Sequence, residues 1–270
     1  MVMEYISTSK NVVKFFLNHS HVLTMFRSQA KLNLLKITKI RFASHHIMLQ
    51  RLLICKDELA ITVILDKWTE WLKRGDEKTK RMGGLVAETI LDNEYWDDVR
   101  NIIKITEPLY KLIRFADGED SKMGEMYEKI NNMFGQIKET MAGSKFEYKW
   151  DRMEAIILVR WEKINIPIHV LAFAVTPHYY DPQYLAMLAP GGLPCKPPNQ
   201  DIEVAKKVMI VFGKIAETAE KARVYHEQFA HFHMRKGMFA KEHVRLDSYH
   251  SYVVTWWSTY GAETPELADH

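Results

Sequence analysis

Hydrophobic residues recur at helical spacing through most of this 270-residue chain. Such spacing places apolar side chains on one face of an α-helix, whereas in a β-strand alternate residues share a face. The pattern predicts helices over residues 11–27, 50–165 and 201–236. We therefore expect a mainly α fold. The most regular stripe consists of Met126, Ile130, Met133, Ile137 and Met141, with Gly143 following at the position of a C-cap.

Two local signals set helix boundaries. Asp201 is a candidate N-cap for a long helix that reaches Ala222, and a further helix is expected over residues 225–236. Pro108 is expected to kink or restart the helix in residues 86–116, because proline has no amide hydrogen to donate.

Residues 36–42 carry the one credible strand pattern. Their odd and even positions can face opposite sides of a sheet, so we expect strand pairing only near this segment. Residues 176–198 are rich in proline and glycine, and they are expected to form the long loop of the chain.

Composition excludes several classes of protein. Hydrophobic residues make up 47% of the chain, which is enough to bury a core and argues against disorder. The cysteines are Cys55 and Cys195, and there is no apolar signal segment, so we expect a reducing compartment and no secretion. No stretch approaches the roughly 18 apolar residues of a membrane-spanning helix. The net charge of +3 is weaker than a dedicated DNA-binding domain usually carries.

A basic run lies between two predicted helices. Its cations could form a phosphate-facing loop or a weak nuclear-import signal. Asp76 and Glu77 interrupt the run, so a solvated loop is the alternative interpretation. The candidate phosphate contacts are Lys73, Arg74, Lys78, Lys80 and Arg81.

Two other clusters contain residue types that bind metals. The acidic group could bind a divalent cation, but without EF-hand spacing a solvated turn explains it better. The histidines lie among aromatic residues with no HExxH pattern, which favours a half-buried aromatic helix. We therefore predict no metal, no cofactor and no catalytic residue. The two clusters are Asp117, Glu119 and Asp120, and His226, His231 and His233.

A pair of tryptophans lies near the C-terminal end of the sequence. Trp256 and Trp257 point to opposite faces of a strand, or lie about 100° apart on a helix, so both bury well only where two sides are covered. Either Trp256 packs on the domain and Trp257 is partly exposed, or the pair forms a partner-facing surface. The candidate dimerisation residues are Trp256, Trp257, Tyr260, Pro265 and Leu267.

Several segments together resemble plant hAT-family transposases. Residues 256–267 (WWSTYGAETPEL) are similar to the opening of the family's C-terminal dimerisation segment. Residues 40–52 (IRFASHHIMLQRL) are similar to a family strand and the helix that follows it, with Ile40 where the family usually has threonine. Further matches lie in order at residues 18–23, 105–110, 116–118, 123–124, 167–169 and 177–180.

This resemblance implies a domain organisation. Residues 1–43 would be a remnant of an RNase H-like core, with 36–42 as the last strand of its sheet. Residues 44–250 would be the all-helical insertion domain, and residues 251–270 the start of the dimerisation segment.

The resemblance also implies a function. The family's catalytic carboxylates fall outside this chain, so we expect a truncated transposase-derived protein that is not an enzyme. It would retain association with itself or with hAT-like proteins and a weak, nonspecific nucleic-acid contact. The expected location is nuclear, or otherwise cytoplasmic. The alternatives are a piece of a split transposase gene and a helical protein-interaction module recruited by the host.

Overall fold

The computed structural model describes residues 2–37, 42–118, 123–164 and 166–269. Within these ranges the fold is mainly helical, which confirms the fold class that the periodicity predicted. Contacts divide the chain into unit 1 (Met1–Phe115) and unit 2 (Ala116–His270). The boundaries expected after residues 43 and 250 concern ancestry, which contacts do not test.

Unit 1 is built from helices that bury apolar stripes against one another. The Phe16 ring lies 5.8 Å from Phe26 and 5.9 Å from Trp68. A hydrogen bond of 2.7 Å between the hydroxyls of Ser9 and Tyr95 joins the first helix to the last. The helices are α1 (Val2–Asn18), α2 (Ser20–Arg27), α3 (Phe42–Ile54), α4 (Lys56–Ile64), α5 (Asp66–Lys73), α6 (Glu77–Leu91) and α7 (Asn93–Ala116).

Unit 2 contains longer helices, short helical turns and a small hairpin. Its helices are α8 (Met123–Met141), α9 (Trp150–Ile164), α10 (Pro167–Ala174), α11 (Pro182–Leu185), α12 (Ile202–Ile215), α13 (Ala219–His233), α14 (Glu242–His250), α15 (Val253–Tyr260) and α16 (Pro265–Ala268). Its strands are β1 (Leu188–Ala189) and β2 (Leu193–Pro194), and its 3-10 turns are Glu147–Lys149, Pro177–Tyr180, Pro198–Gln200, Gly237–Ala240 and Gly261–Glu263.

The core of unit 2 forms around the apolar helix α10. Val170 and Ala174 are fully buried, and α10 packs against α8 and α12. The Phe173 ring lies 4.8 Å from Tyr127 of α8 and 4.4 Å from Tyr179. Aromatic pairs at such distances add to the stability that burial provides.

The predicted strand at residues 36–42 is wrong where it can be checked. Lys36 and Ile37 have no regular structure and Phe42 is the first residue of α3, while residues 38–41 lie outside the described residues. In the described part of the chain, strand pairing occurs between β1 and β2 instead. Gly191 and Gly192 make that hairpin possible, because their φ angles of 94° and 70° suit glycine and strain other residues.

The two local helix signals have different outcomes. Pro108 does not restart the helix, since it lies inside α7, where the burial of Pro108 and Ile105 offsets a lost hydrogen bond. Asp201 is confirmed as an N-cap, accepting from the amides of Glu203 and Val204, but its helix ends at Ile215. Thr218 then caps α13 by accepting from the Lys221 amide.

None of the described helices combines the length and the apolarity needed to cross a bilayer.

Candidate functional site

Both tryptophans of the pair are buried in the core of unit 2. Trp256 is 3% exposed and Trp257 is 7% exposed, so the expected partial exposure of Trp257 is wrong. Each indole N–H has an internal acceptor, at 3.1 Å for Trp256 with the Val244 carbonyl and 2.9 Å for Trp257 with the Val175 carbonyl. Other residues of unit 2 therefore cover both tryptophans, and burial of the pair needs no second protein.

The other candidate dimerisation residues divide between core and surface. Leu267 is buried, and its amide donates to the Gln228 side chain at 2.9 Å. Tyr260 is half-buried and donates to the Asp247 carboxylate at 2.5 Å, whereas Pro265 is exposed at the start of α16. The dimerisation role stays a prediction, and only Tyr260 and Pro265 of the set offer surface for it.

The basic run occupies the end of α5 and the first turns of α6. Lys73, Arg74, Lys78 and Arg81 are exposed, and Lys80 pairs with Glu77 at 3.0 Å. The carboxylate of Asp76 accepts from the Thr79 amide at 2.7 Å, and hydrogen bonds from Thr79 lower the pKa of Asp76. A carboxylate therefore already occupies the helix N-terminus where an anion would otherwise bind.

The two clusters that contain metal-binding residue types form no metal site among the described residues. Asp117 is described, but Glu119 and Asp120 lie outside the described residues. Each histidine contacts a different ring, and no three described His, Cys, Asp or Glu residues could together hold a metal ion. The ring distances are 5.5 Å for His226 to Phe212, 6.1 Å for His231 to Phe239, and 5.0 Å for His233 to Phe229.

A polar cluster in unit 1 joins two segments that carry the family resemblance. His46 of α3 is buried, with Nδ1 2.9 Å from the Thr106 hydroxyl and Nε2 2.9 Å from the Glu107 carboxylate. Tyr110 stacks on the imidazole at 4.6 Å, and Gln50 donates to Glu107 at 3.2 Å. Sequence analysis missed this cluster, because the partners of His46 lie some sixty residues away in the chain.

Helix α9 of unit 2 exposes three apolar side chains that lie close together in sequence. Ile156, Leu158 and Val159 are 54%, 47% and 55% exposed. The opposite side of α9 rests on α8, with the Trp161 ring 5.4 Å from Tyr127 and the Lys138 amine 5.7 Å from the Trp150 ring. We call the part of the outward side that is formed by residues 151, 152, 155, 156, 158, 159, 162 and 163 the α9 face, and the exposed Arg160 lies beside it.

Sequence analysis predicted α9 as a helix but missed this surface. The signal was present in the run Ala155-Ile156-Ile157-Leu158-Val159, because five consecutive apolar residues extend around a helix beyond one buried stripe. A soluble helix that packs on one side leaves part of such a run in solvent. Runs of this kind on a surface usually mark a binding site.

Unit 2 also contains an open apolar cavity of about 230 Å³. Its lining includes Met123, Leu171, Phe212, Tyr225 and Leu267. Small-molecule sites usually combine such a lining with several converging polar groups. Here the lining is mostly aliphatic and aromatic carbon, so the cavity suits an apolar side chain better than a polar metabolite.

Comparison with protein-family models, with curated proteins and with solved structures gives no significant match.

Proposed function

We propose that this chain is a helical protein-association module of hAT-transposase descent and that it acts through the α9 face without catalysing a reaction. The observation that carries the association role is the exposure of Ile156, Leu158 and Val159 on one helix. Nuclear location follows from the proposed descent.

The energetics of the α9 face support association. Full burial of an exposed aliphatic side chain gains about 1.5–3 kcal/mol, and each of these three is about half exposed, so covering them offsets part of the entropy lost on binding. Charged residues surround the aliphatic ones at Asp151, Arg152 and Lys163, all of them exposed. A hydrophobic centre with a polar rim is the usual anatomy of a protein interface.

The proposed descent is supported by the ordered set of similar segments. Two of them, residues 40–52 and 105–110, contact each other through His46, Thr106 and Glu107. The alternative is that the chain is one part of a complete transposase, and reading frames on either side of its coding sequence that encode the family's catalytic carboxylates would favour that alternative. The basic run supports nucleic-acid binding less well, since Asp76 and Glu77 lie among its cations.

The association role can be tested by removing the apolar centre of the face. We expect the tagged chain in cell extracts to elute above the size of its 31.7 kDa monomer, and the double variant Ile156→Ser/Val159→Ser to elute as a monomer. A matched control is Ile202→Ser/Ile210→Ser, which removes two exposed isoleucines from α12 of the same unit. If both double variants elute like the original chain, the α9 face is not the association site.

A further inference from the structure

The α9 face has an ordered arrangement of charge. Successive helical residues are about 100° apart, so residues spaced by four, three and four align in a row along the helix. One such row is Asp151, Ala155, Leu158 and Glu162, and we call it the acidic row. The neighbouring row is Arg152, Ile156, Val159 and Lys163, and we call it the basic row.

The two rows match each other in composition. Each has a charged residue at both ends and two apolar residues between them, and the signs are opposite. All eight side chains are exposed. The face is therefore divided along its length into an acidic half and a basic half, with apolar residues at the middle of both.

Such a face complements a copy of itself in one orientation. In a twofold pair with parallel helices, the acidic row of one copy lies against the basic row of the other. Asp151 then meets Arg152, and Glu162 meets Lys163. In an antiparallel pair each row meets itself reversed, so Asp151 would meet Glu162 and Arg152 would meet Lys163. Like charges across an interface oppose that arrangement.

We propose that a second copy of this chain covers the α9 face, with the two α9 helices parallel about a twofold axis. This inference rests on the proposed association role of α9 and identifies its partner. Aliphatic residues at the middle of the rows supply the apolar contact, and the four end residues set the orientation.

The size of the face indicates the strength of the pair. A helix of 15 residues is about 22 Å long, so the pair buries less than the roughly 800 Å² per partner of stable complexes. We expect a dissociation constant in the micromolar range, below about 0.1 mM. Because its charges are exposed, the pair weakens as salt is added.

Charge reversal tests the pairing in the full chain by sedimentation velocity. Asp151→Lys/Glu162→Lys makes the face wholly basic, and Arg152→Glu/Lys163→Glu makes it wholly acidic. We expect each variant alone to associate at least tenfold more weakly than the original chain, and an equal mixture of the two to associate again. A mixture that remains monomeric would overturn the proposal.

A charge-conserving variant tests the orientation. Asp151→Lys/Lys163→Glu keeps the net charge but makes parallel rows repel and antiparallel rows attract. We expect this variant to lose self-association, and tighter association would overturn the parallel arrangement. Since both substitutions oppose the helix dipole, circular dichroism of each variant checks that α9 is retained.

The outcome separates this inference from the broader association role. If the original purified chain is monomeric up to about 0.1 mM, self-pairing is excluded. The assembly in cell extracts would then still respond to Ile156→Ser/Val159→Ser if the face binds a different protein. If the purified chain is monomeric and Ile156→Ser/Val159→Ser also leaves the assembly in extracts unchanged, the association role of the α9 face is overturned as well.

Discussion

His46 shows how one buried side chain links the stability of unit 1 to pH. In the neutral ring one nitrogen donates and the other accepts, so Nε2–H donates to Glu107 and Nδ1 accepts from the Thr106 hydroxyl. That hydroxyl also lies 2.7 Å from the Ile102 carbonyl oxygen, so once Nδ1 is protonated the Thr106 hydroxyl donates to Ile102 and accepts from Nδ1–H. Burial lowers the pKa of His46 below its ordinary value of 6.5, although Glu107 raises it.

The sign of the pH effect follows from this shift. Because the folded pKa lies below the unfolded pKa, the unfolded chain binds more protons as pH falls past 6.5. We expect the thermal midpoint to be highest above that pH and to fall as pH decreases toward the folded pKa of His46. In His46→Gln the fall should be smaller, with a residual slope because burial also lowers the pKa of His45 and His233.

Measurement at pH 8 provides the reference for this experiment. There His46 is neutral in both states, so the difference between the two proteins reports packing and hydrogen bonding without a contribution from protonation. Equal slopes between pH 8 and pH 5.5 would show that His46 does not couple protonation to folding.

At the scale of elements, the sequence predicted where helices form but not which elements pack against or pair with one another. The stripe from Ile130 to Met141 is buried as expected, because the period of a helix is a local property. The strand pattern at 36–42 was only a short alternation, which cannot show whether a neighbouring strand exists. The α9 face was missed for a related reason, since exposure depends on what the rest of the chain covers.

The hairpin on α8 offers a prediction at this scale. A Cβ at Gly135 would lie 2.6 Å from the Pro190 carbonyl oxygen and 2.9 Å from Pro190 Cβ, in the turn between β1 and β2. We expect Gly135→Ala to cost about 1–3 kcal/mol in the free energy of unfolding, because backbone must move.

Gly213→Ala is the matched control in unit 2. Gly213 is exposed near the end of α12, and nothing lies within 4 Å of its added Cβ. Alanine there should stabilise the protein by roughly 0.5–1 kcal/mol, since it favours helix. Denaturant unfolding of both variants measures the difference, and a stabilising Gly135→Ala would show that the hairpin does not rest on α8 as described.

On the scale of the whole molecule, the C-terminal helices are structural parts of unit 2. Trp256, Trp257 and Leu267 share a core with residues of α8, α10, α12 and α13. The family resemblance implies that these residues contact a second protein, whereas in this structure they pack within the core of unit 2. Sequence alone could not decide between the two, because both require a large aromatic residue to be covered.

Shortening the chain to end at Ser251 should therefore unfold unit 2. We expect loss of the cooperative transition of unit 2, and for Trp257→Ala a cost of about 3–5 kcal/mol in its free energy of unfolding. Near-ultraviolet circular dichroism and denaturant unfolding measure these changes, and an unchanged transition in the shortened chain would contradict them. The control Tyr252→Ser changes an 81% exposed residue and should have little effect.

The hydrogen bond from Trp257 to Val175 spans 82 positions of sequence and bears on the order of events during synthesis. Residues Ala116 to Trp257 take about 7–28 s to translate at roughly 5–20 residues per second. Until α15 emerges from the ribosome, Phe232 and Phe239 lack the indole rings that pack on them. Unit 1 can thus fold while unit 2 still exposes an incomplete aromatic core to solvent.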